Sequence, residues 1–205
     1  MTDITRSRAS GRWLCLVFSN TVENYRLEQQ LDNLVDFPRW VEWSTKHGLV
    51  EGPLRERLLS WAAANPAASG LALESAKALR LRLFRLLSAR AAGAIPDTDA
   101  LAFLNEHLAM ATAHLELQPT PQGVVLVWQD EVSPERLVWP IVYSAACLLT
   151  HAQSARLRRC GGDKCTWLFI DESKNGSRLW CDMSVCGNRA KSRRHYERTH
   201  RAPSR

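Results

Sequence analysis

Residues 160–200 read CGGDKCTWLFIDESKNGSRLWCDMSVCGNRAKSRRHYERTH and hold four of the chain's six cysteines. Cys160 and Cys165 enclose four residues, Cys181 and Cys186 enclose four, and fifteen lie between the pairs. Two close pairs at this separation are a zinc-site pattern. Each close pair makes a turn that aims two sulfurs at one point, and the gap lets the second turn come round to meet the first. Thiolates are soft ligands, and four of them close a tetrahedron with no position left for substrate, so the expected metal is one structural zinc ion. A module of about 45 residues rarely stabilises itself by burial alone, and a structural zinc supplies roughly 10–16 kcal/mol of apparent binding free energy coupled to folding. Two disulfides, or four unrelated thiols, are the plainer alternatives. Cys15 and Cys147 sit in apolar surroundings and are expected in the core.

The segments WLFID and RLWC have strand character, with Asn175-Gly176 between them. Asn-Gly is a strong hairpin signal, so a ribbon is expected to carry the chain from Cys165 out and back to Cys181. Gly161, Gly162 and Gly187 suit tight turns beside the cysteines. The expected arrangement is a knuckle, a β-hairpin, a knuckle and a helix, which is treble-clef-like.

The stretch GNRAKSRRHYERTH is compatible with a helix throughout. With Cys186 facing the metal, Ala190, Arg193 and Glu197 fall near the cysteine side. Lys191, Arg194, His195 and Arg198 fall on the far side, and Arg189 is intermediate. The outward face carries three fixed cations and no carboxylate, which suits phosphates. Residues 156–205 contain 13 Lys/Arg against 5 Asp/Glu, while residues 1–155 contain 14 against 16. A basic module on a near-neutral body points to a polyanionic partner. The alternative is a solvated charged end, with Arg193 and Glu197 paired and Tyr196 packed on the hairpin. His195 and His200 are expected at the surface, because four cysteines already complete the tetrahedron.

The preceding residues read as mainly helical. Trp13–Phe18 is open between a buried strand and a helix start. Around DFPRWVEWSTKHGLV a helix is expected after Asp36 or Phe37, with Pro38 in its first turn and Gly48 past its end. GPLRERLLSWAAANP is a second helix, stopped before Pro66. In SGLALESAKALRLRLFRLLSARAAG the residues Leu79, Leu83, Leu86 and Leu87 form a buried stripe, with Arg80, Arg82 and Arg90 expected to point elsewhere. PDTDALAFLNEHLAMATAHL is a further helix capped by Asp97 or Thr98. HLELQP and GVVLVWQ make a small β-hairpin across TPQG. SPERLVWPIVYSAACLLTHAQSARLRRC returns to helix, with Pro140 a kink or a start.

An apolar content of 45% excludes wholesale disorder. The opening MTDITRSRASGRW has no apolar core of a signal peptide, and the longest apolar run, VWPIVYSAACLL, is too short to span a bilayer. A cytoplasmic protein without membrane attachment is expected, a setting in which clustered cysteines favour metal. No phosphate loop, Ser-His-Asp pattern or open metal site is found, so no enzyme is expected. Asn20 and Thr21 follow an apolar segment and are open between lining a small-molecule pocket and capping a helix.

Residues 156–200 closely resemble the CGNR zinc-finger domain. The name-giving tetrad stands as Cys186, Gly187, Asn188 and Arg189, and WLFID, NGSR and WCDM are similar as well. In that family the finger follows a helical N-terminal domain called ABATE, and LCLVFSNTV and YSAACLLTHAQSARLRRC resemble its start and end. The family's opening motif often has an acid where this chain has Val17. The resemblance implies an ABATE-like helical domain followed by a CGNR-type finger with a basic C-terminal helix, and the change in charge balance near residue 155 sets the expected domains at 1–155 and 156–205. The resemblance also implies a stress-induced, DNA-binding transcription regulator, and the N-terminal domain is expected to sense a small-molecule effector or to dimerise. The residues expected on DNA are Arg189, Lys191, Arg193, Arg194 and Arg198. An RNA-binding or ribosome-associated module and a protein-interaction adaptor are the rival expectations.

Overall fold

A computed structural model describes residues 3–25, 27 and 31–200. Helices α1 (Leu14–Ser19), α2 (Phe37–His47), α3 (Gly52–Ala64), α4 (Pro66–Ala91), α5 (Thr98–Thr112) and α6 (Trp139–Thr150) build the body. An antiparallel ribbon of β1 (Leu115–Thr120) and β2 (Gly123–Trp128) joins α5 to α6. The finger consists of β3 (Leu157–Arg159), β4 (Leu168–Ile170), a π-helical turn over Met183–Gly187 and α7 (Asn188–His200). No helix among the described residues is long and apolar enough to cross a membrane.

Local chemistry accounts for the elements. The Trp13–Phe18 run resolves as a helix: α1 is apolar nearly all round, and such a helix belongs inside a core. Leu14, Cys15, Leu16 and Phe18 are all buried there. The Ser144 hydroxyl on α6 accepts from Cys15 N (3.2 Å) and donates to the Thr5 carbonyl (2.8 Å), satisfying an orphan amide at the helix start. Asp36 caps α2 through Arg39 N at 2.8 Å, and Gly48 ends it in the left-handed conformation at φ 80°. Pro66 opens α4 a turn ahead of the expected start, because proline is at home in a first helical turn. Pro140 likewise marks a start, not a kink. Burial holds the Cys15 thiol up at about 12, as suits a core cysteine.

Three expectations are corrected. Arg80 does not point away from the core; it is buried on α4 beside Leu83, Phe84 and Leu87. Leu157–Arg159 is a strand, not a helix end, and it pairs antiparallel with β4 through Leu157↔Ile170 and Arg159↔Leu168. The RLWC segment is therefore not the partner of WLFID. The finger's ribbon turns through the first cysteine pair, and Asn175-Gly176 sits instead in a loop closed on Asp171. The Asp171 carboxylate accepts from Ser173 N (2.9 Å), Ser173 Oγ (2.6 Å) and Arg178 N (3.0 Å). These bonds hold it below the ordinary carboxylate range, the Ser173 hydroxyl first. Only Gly176 takes a positive φ, 62°; Asn175 does not.

The body's core continues into the finger. Leu157 and Leu168, each 1% exposed, pack with the leucines of α4 and α6. The finger's own cluster is small: the four cysteines and Phe169, flanked by Trp167 and Trp180.

His47, at the end of α2, meets Ser7 Oγ through Nδ1 at 2.7 Å. Burial first, then the Lys46 charge, lowers its pKa to about 4. The unfolded chain takes up this proton near pH 6.5, so His47 contributes stability that is present above that pH and lost as pH falls toward 4. Urea midpoints of the parent should decline across this interval, and His47→Gln should flatten the decline; parallel profiles would exclude His47 as the source.

Candidate metal centre and the basic helix

The first knuckle is built by strand ends. Cys160 follows β3, and its amide donates to the Trp167 carbonyl at 2.8 Å, which brings Cys165 back beside it. Gly161 and Gly162 sit at close approaches. A Cβ on Gly161 would stand 3.3 Å from the Trp180 ring. One on Gly162 would stand 3.3 Å from Cys165 Cβ and 3.6 Å from Cys160 Sγ. The second knuckle starts at Cys181, and Asp182 caps the π-helical turn by accepting from Ser184 N (2.7 Å) and Val185 N (3.1 Å). A Cβ on Gly187 would come within 3.1 Å of the Met183 sulfur. Arg178 braces this turn: its Nε donates to the Trp180 carbonyl at 2.8 Å, a terminal nitrogen donates to the Cys181 carbonyl, and its guanidinium lies 5.0 Å from the Phe169 ring centroid.

The four Sγ atoms all lie within 4.8 Å of one another. Cys181 Sγ is 3.7 Å from both Cys165 Sγ and Cys186 Sγ. A tetrahedron with metal–sulfur bonds near 2.3 Å has edges of about 3.8 Å, so the donor set fits zinc. None of the four cysteines forms a disulfide and all are buried, and the Cys181 amide points at Cys160 Sγ (3.4 Å). Hydrogen bonds from Cys165 and then Cys181 hold the Cys160 thiol well below its usual range, and the protons given push Cys165 and Cys181 up. Cys160 is thus ionised ahead of Cys165 and Cys181, and ionising those two as well calls for a cation. Among the described residues no other group of three or more metal-ligating side chains gathers. The site is closed and structural, and it holds one Zn²⁺.

The finger is tied to the body by side-chain-to-backbone bonds. Asn20 accepts from Leu168 N (2.9 Å) and donates to the Leu168 carbonyl (2.8 Å). Trp167 Nε1 donates to the Val22 carbonyl (3.1 Å), and Thr166 Oγ1 accepts from Tyr25 N (3.0 Å). Thr21 Oγ1 donates to the Phe18 carbonyl (2.8 Å) and accepts from Arg80 (2.6 Å). Arg80 also forms a bidentate pair with Asp32, 2.8 Å on its longer arm. Asn20 and Thr21 therefore already have protein partners. Arg80, Asp32, Thr166 and Arg178 complete this frame; from the sequence, Asp32, Thr166 and Arg178 carry no expected role and Arg80 is expected away from the core. Only Arg80 left a signal, its place on the apolar stripe.

The basic helix α7 has no buried residue. Arg193 turns back toward the metal, paired with Asp163 of the first knuckle and with Glu197 at 3.4 Å. Arg189, Lys191, Arg194 and Arg198 are exposed and make no ion pair among the described residues. Tyr196 does not pack on the hairpin; it is exposed and stacks on His200 at 3.9 Å. The charges of residues 201–205 lie outside the described residues.

The family model described as "CGNR zinc finger" matches residues 156–199. A second, described as "Putative stress-induced transcription regulator" and named ABATE, matches residues 13–152. No curated protein matches the chain. The helical body that carries Asn20 is thus covered by one family and the four-cysteine centre by the other, and the chain belongs to the ABATE family, with a C-terminal CGNR zinc finger.

Proposed function

We propose that the protein is a zinc-dependent, DNA-binding transcription regulator acting in the cytoplasm, with α7 as its DNA contact and the helical body as its sensing or dimerising half. The observation that carries this reading is the division of charge on α7. Arg193 fixes the helix to the first knuckle, while Lys191, Arg194 and Arg198 remain exposed and without ion pairs among the described residues on the far side, with Arg189 at an intermediate position. A thirteen-residue helix is about 20 Å long and fits a major groove about 12 Å wide. Cations held on a metal-braced helix release counterions from phosphates without first paying to order the helix. The reducing setting that keeps four thiols free for metal agrees with a place in the cytoplasm.

Replacing Lys191, Arg194 and Arg198 together by Ala should lower the slope of log K against log salt on duplex DNA by about 2.7, near 0.9 per lost phosphate contact. An unchanged slope rejects α7 as the contact. Competition with structured RNA separates the RNA-binding reading, and an absence of binding to either polymer favours an adaptor of protein contacts.

A further inference from the structure

A cleft of about 560 Å³ lies between the body and the finger, a volume typical of small-molecule sites. Arg6, Arg12, Lys46 and Arg178 line it against a single carboxylate, Glu172, so its field favours an anion. Two of these cations are committed. Arg178 holds the Trp180 and Cys181 carbonyls, and Arg6 lies 3.8 Å from the Trp13 ring centroid and donates to Gln153. Arg12 and Lys46 are exposed and make no ion pair among the described residues. Two half-buried indoles also line the cleft, Trp43 from α2 and Trp167 from the finger. Both are held in place: Trp43 by Phe18 (5.6 Å between centroids) and His47 (4.6 Å), and Trp167 by its bond to Val22. Rigid aromatic faces offer a flat, weakly polar surface to a ring at little entropic cost.

We propose that this cleft is the effector site and that it takes a small planar ring bearing one anionic group, the ring against Trp43 and Trp167 and the anion on Arg12 and Lys46. Asn20 and Thr21 line the same cleft, but their side chains already serve Leu168, Phe18 and Arg80, so they shape the site and the cations supply the recognition. A ligand there touches both halves of the molecule at the point where Asn20 joins them. The inference rests on reading the body as the sensing half; ligand binding itself does not depend on α7 meeting DNA.

Calorimetry on the zinc-loaded full chain, without nucleic acid, tests it with four probes. Salicylate and AMP share the ring and the anion, and differ in carboxylate against phosphate. Salicyl alcohol and adenosine are their uncharged counterparts. At least one anion should bind saturably, and its uncharged counterpart should bind about tenfold more weakly or worse. The Arg12→Ala/Lys46→Ala double variant should lose about tenfold or more, and Val17→Asp, which sets a carboxylate on the cleft wall, should weaken binding while sparing both cations. No binding by either anion, equal binding by the uncharged probes, or variants that titrate like the parent would overturn the proposal. Duplex-DNA affinity is then compared with and without the saturating anion. A shift supports sensing. An unchanged affinity alongside intact calorimetric binding overturns the sensing role and leaves the ligand site standing.

Discussion

Removing zinc with a chelator under reducing conditions should unfasten the two knuckles and α7 while the body and the β3–β4 ribbon stay folded. A structural zinc contributes roughly 10–16 kcal/mol of apparent free energy, comparable to or above the whole stability of a typical domain. Little else in the finger can replace it, since its private cluster is four thiols, Phe169 and two partly exposed tryptophans. Without the cation, the hydrogen bonds they give to neighbouring sulfurs, Cys160 first, and then burial hold Cys165 and Cys181 as thiols, and a tetrahedral contact of four sulfurs loses its attraction. The ribbon β3–β4 has a different support. Leu157 and Leu168 belong to the body's core, and Asn20 grips Leu168 from both sides. Hydrogen exchange should therefore show a large loss of protection at Cys181, Cys186 and the turn between them, and a much smaller one at Leu157 and Ile170. Metal analysis of the native protein should give one zinc per chain, Cys181→Ser should reproduce the chelator's effect, and salt-sensitive binding to polyanions should vanish with the metal. Protection that survives chelation in both knuckles would mean that zinc is not what holds them.

The four cysteines were readable from spacing because ligand geometry leaves few ways to place two close pairs around one ion. The helix caps at Asp36 and Asp97 and the leucine stripe of α4 were readable because they rest on contacts within a turn or two. The finger's ribbon was misread because two signals conflicted. Asn175-Gly176 announces a two-residue hairpin, but Asp171 closes that segment as a loop with its own side-chain bonds, and β4 finds its partner across the knuckle. Leu157 gave little notice, sitting among Arg156, Arg158 and Arg159; its burial depends on α4, far away in sequence. Arg80 is the converse case. The period that put Leu83 and Leu87 inside puts Arg80 inside too, and the charge argued against it only while its partner was unknown. That partner, Asp32, lies 48 residues away in an irregular segment, where no periodicity points to it.

Replacing Arg80 by Met should therefore destabilise the protein by about 3–5 kcal/mol near neutral pH, the cost of leaving one member of a buried pair alone, at the lower end because the Asp32 side chain keeps 23% exposure. The pH dependence separates charge from packing. Burial alone would raise the Asp32 pKa, but the Arg80 hydrogen bonds, a backbone bond from Leu34 and the Arg80 charge outweigh it and hold the carboxyl below its ordinary range. In the parent, Asp32 thus contributes stability that is present above its unfolded pKa, about 3.9, and lost as pH falls through its lower folded pKa. In Arg80→Met the sign reverses. Burial acts without the cation, the folded pKa rises above the unfolded one, and the variant regains stability as pH drops and Asp32 is protonated. Urea midpoints of parent and variant should converge in acid, whereas a gap independent of pH would assign Arg80 a packing role only. Arg80→Met combined with Asp32→Leu should recover most of the loss at neutral pH, since two apolar residues leave no charge stranded. The consequence extends to the finger. Arg80 also holds Thr21, the neighbour of Asn20, so the single variant should lower amide protection at Leu168 as well, while Leu83→Ala, a change of similar cost on the same stripe, should leave that amide protected relative to the rest of the body.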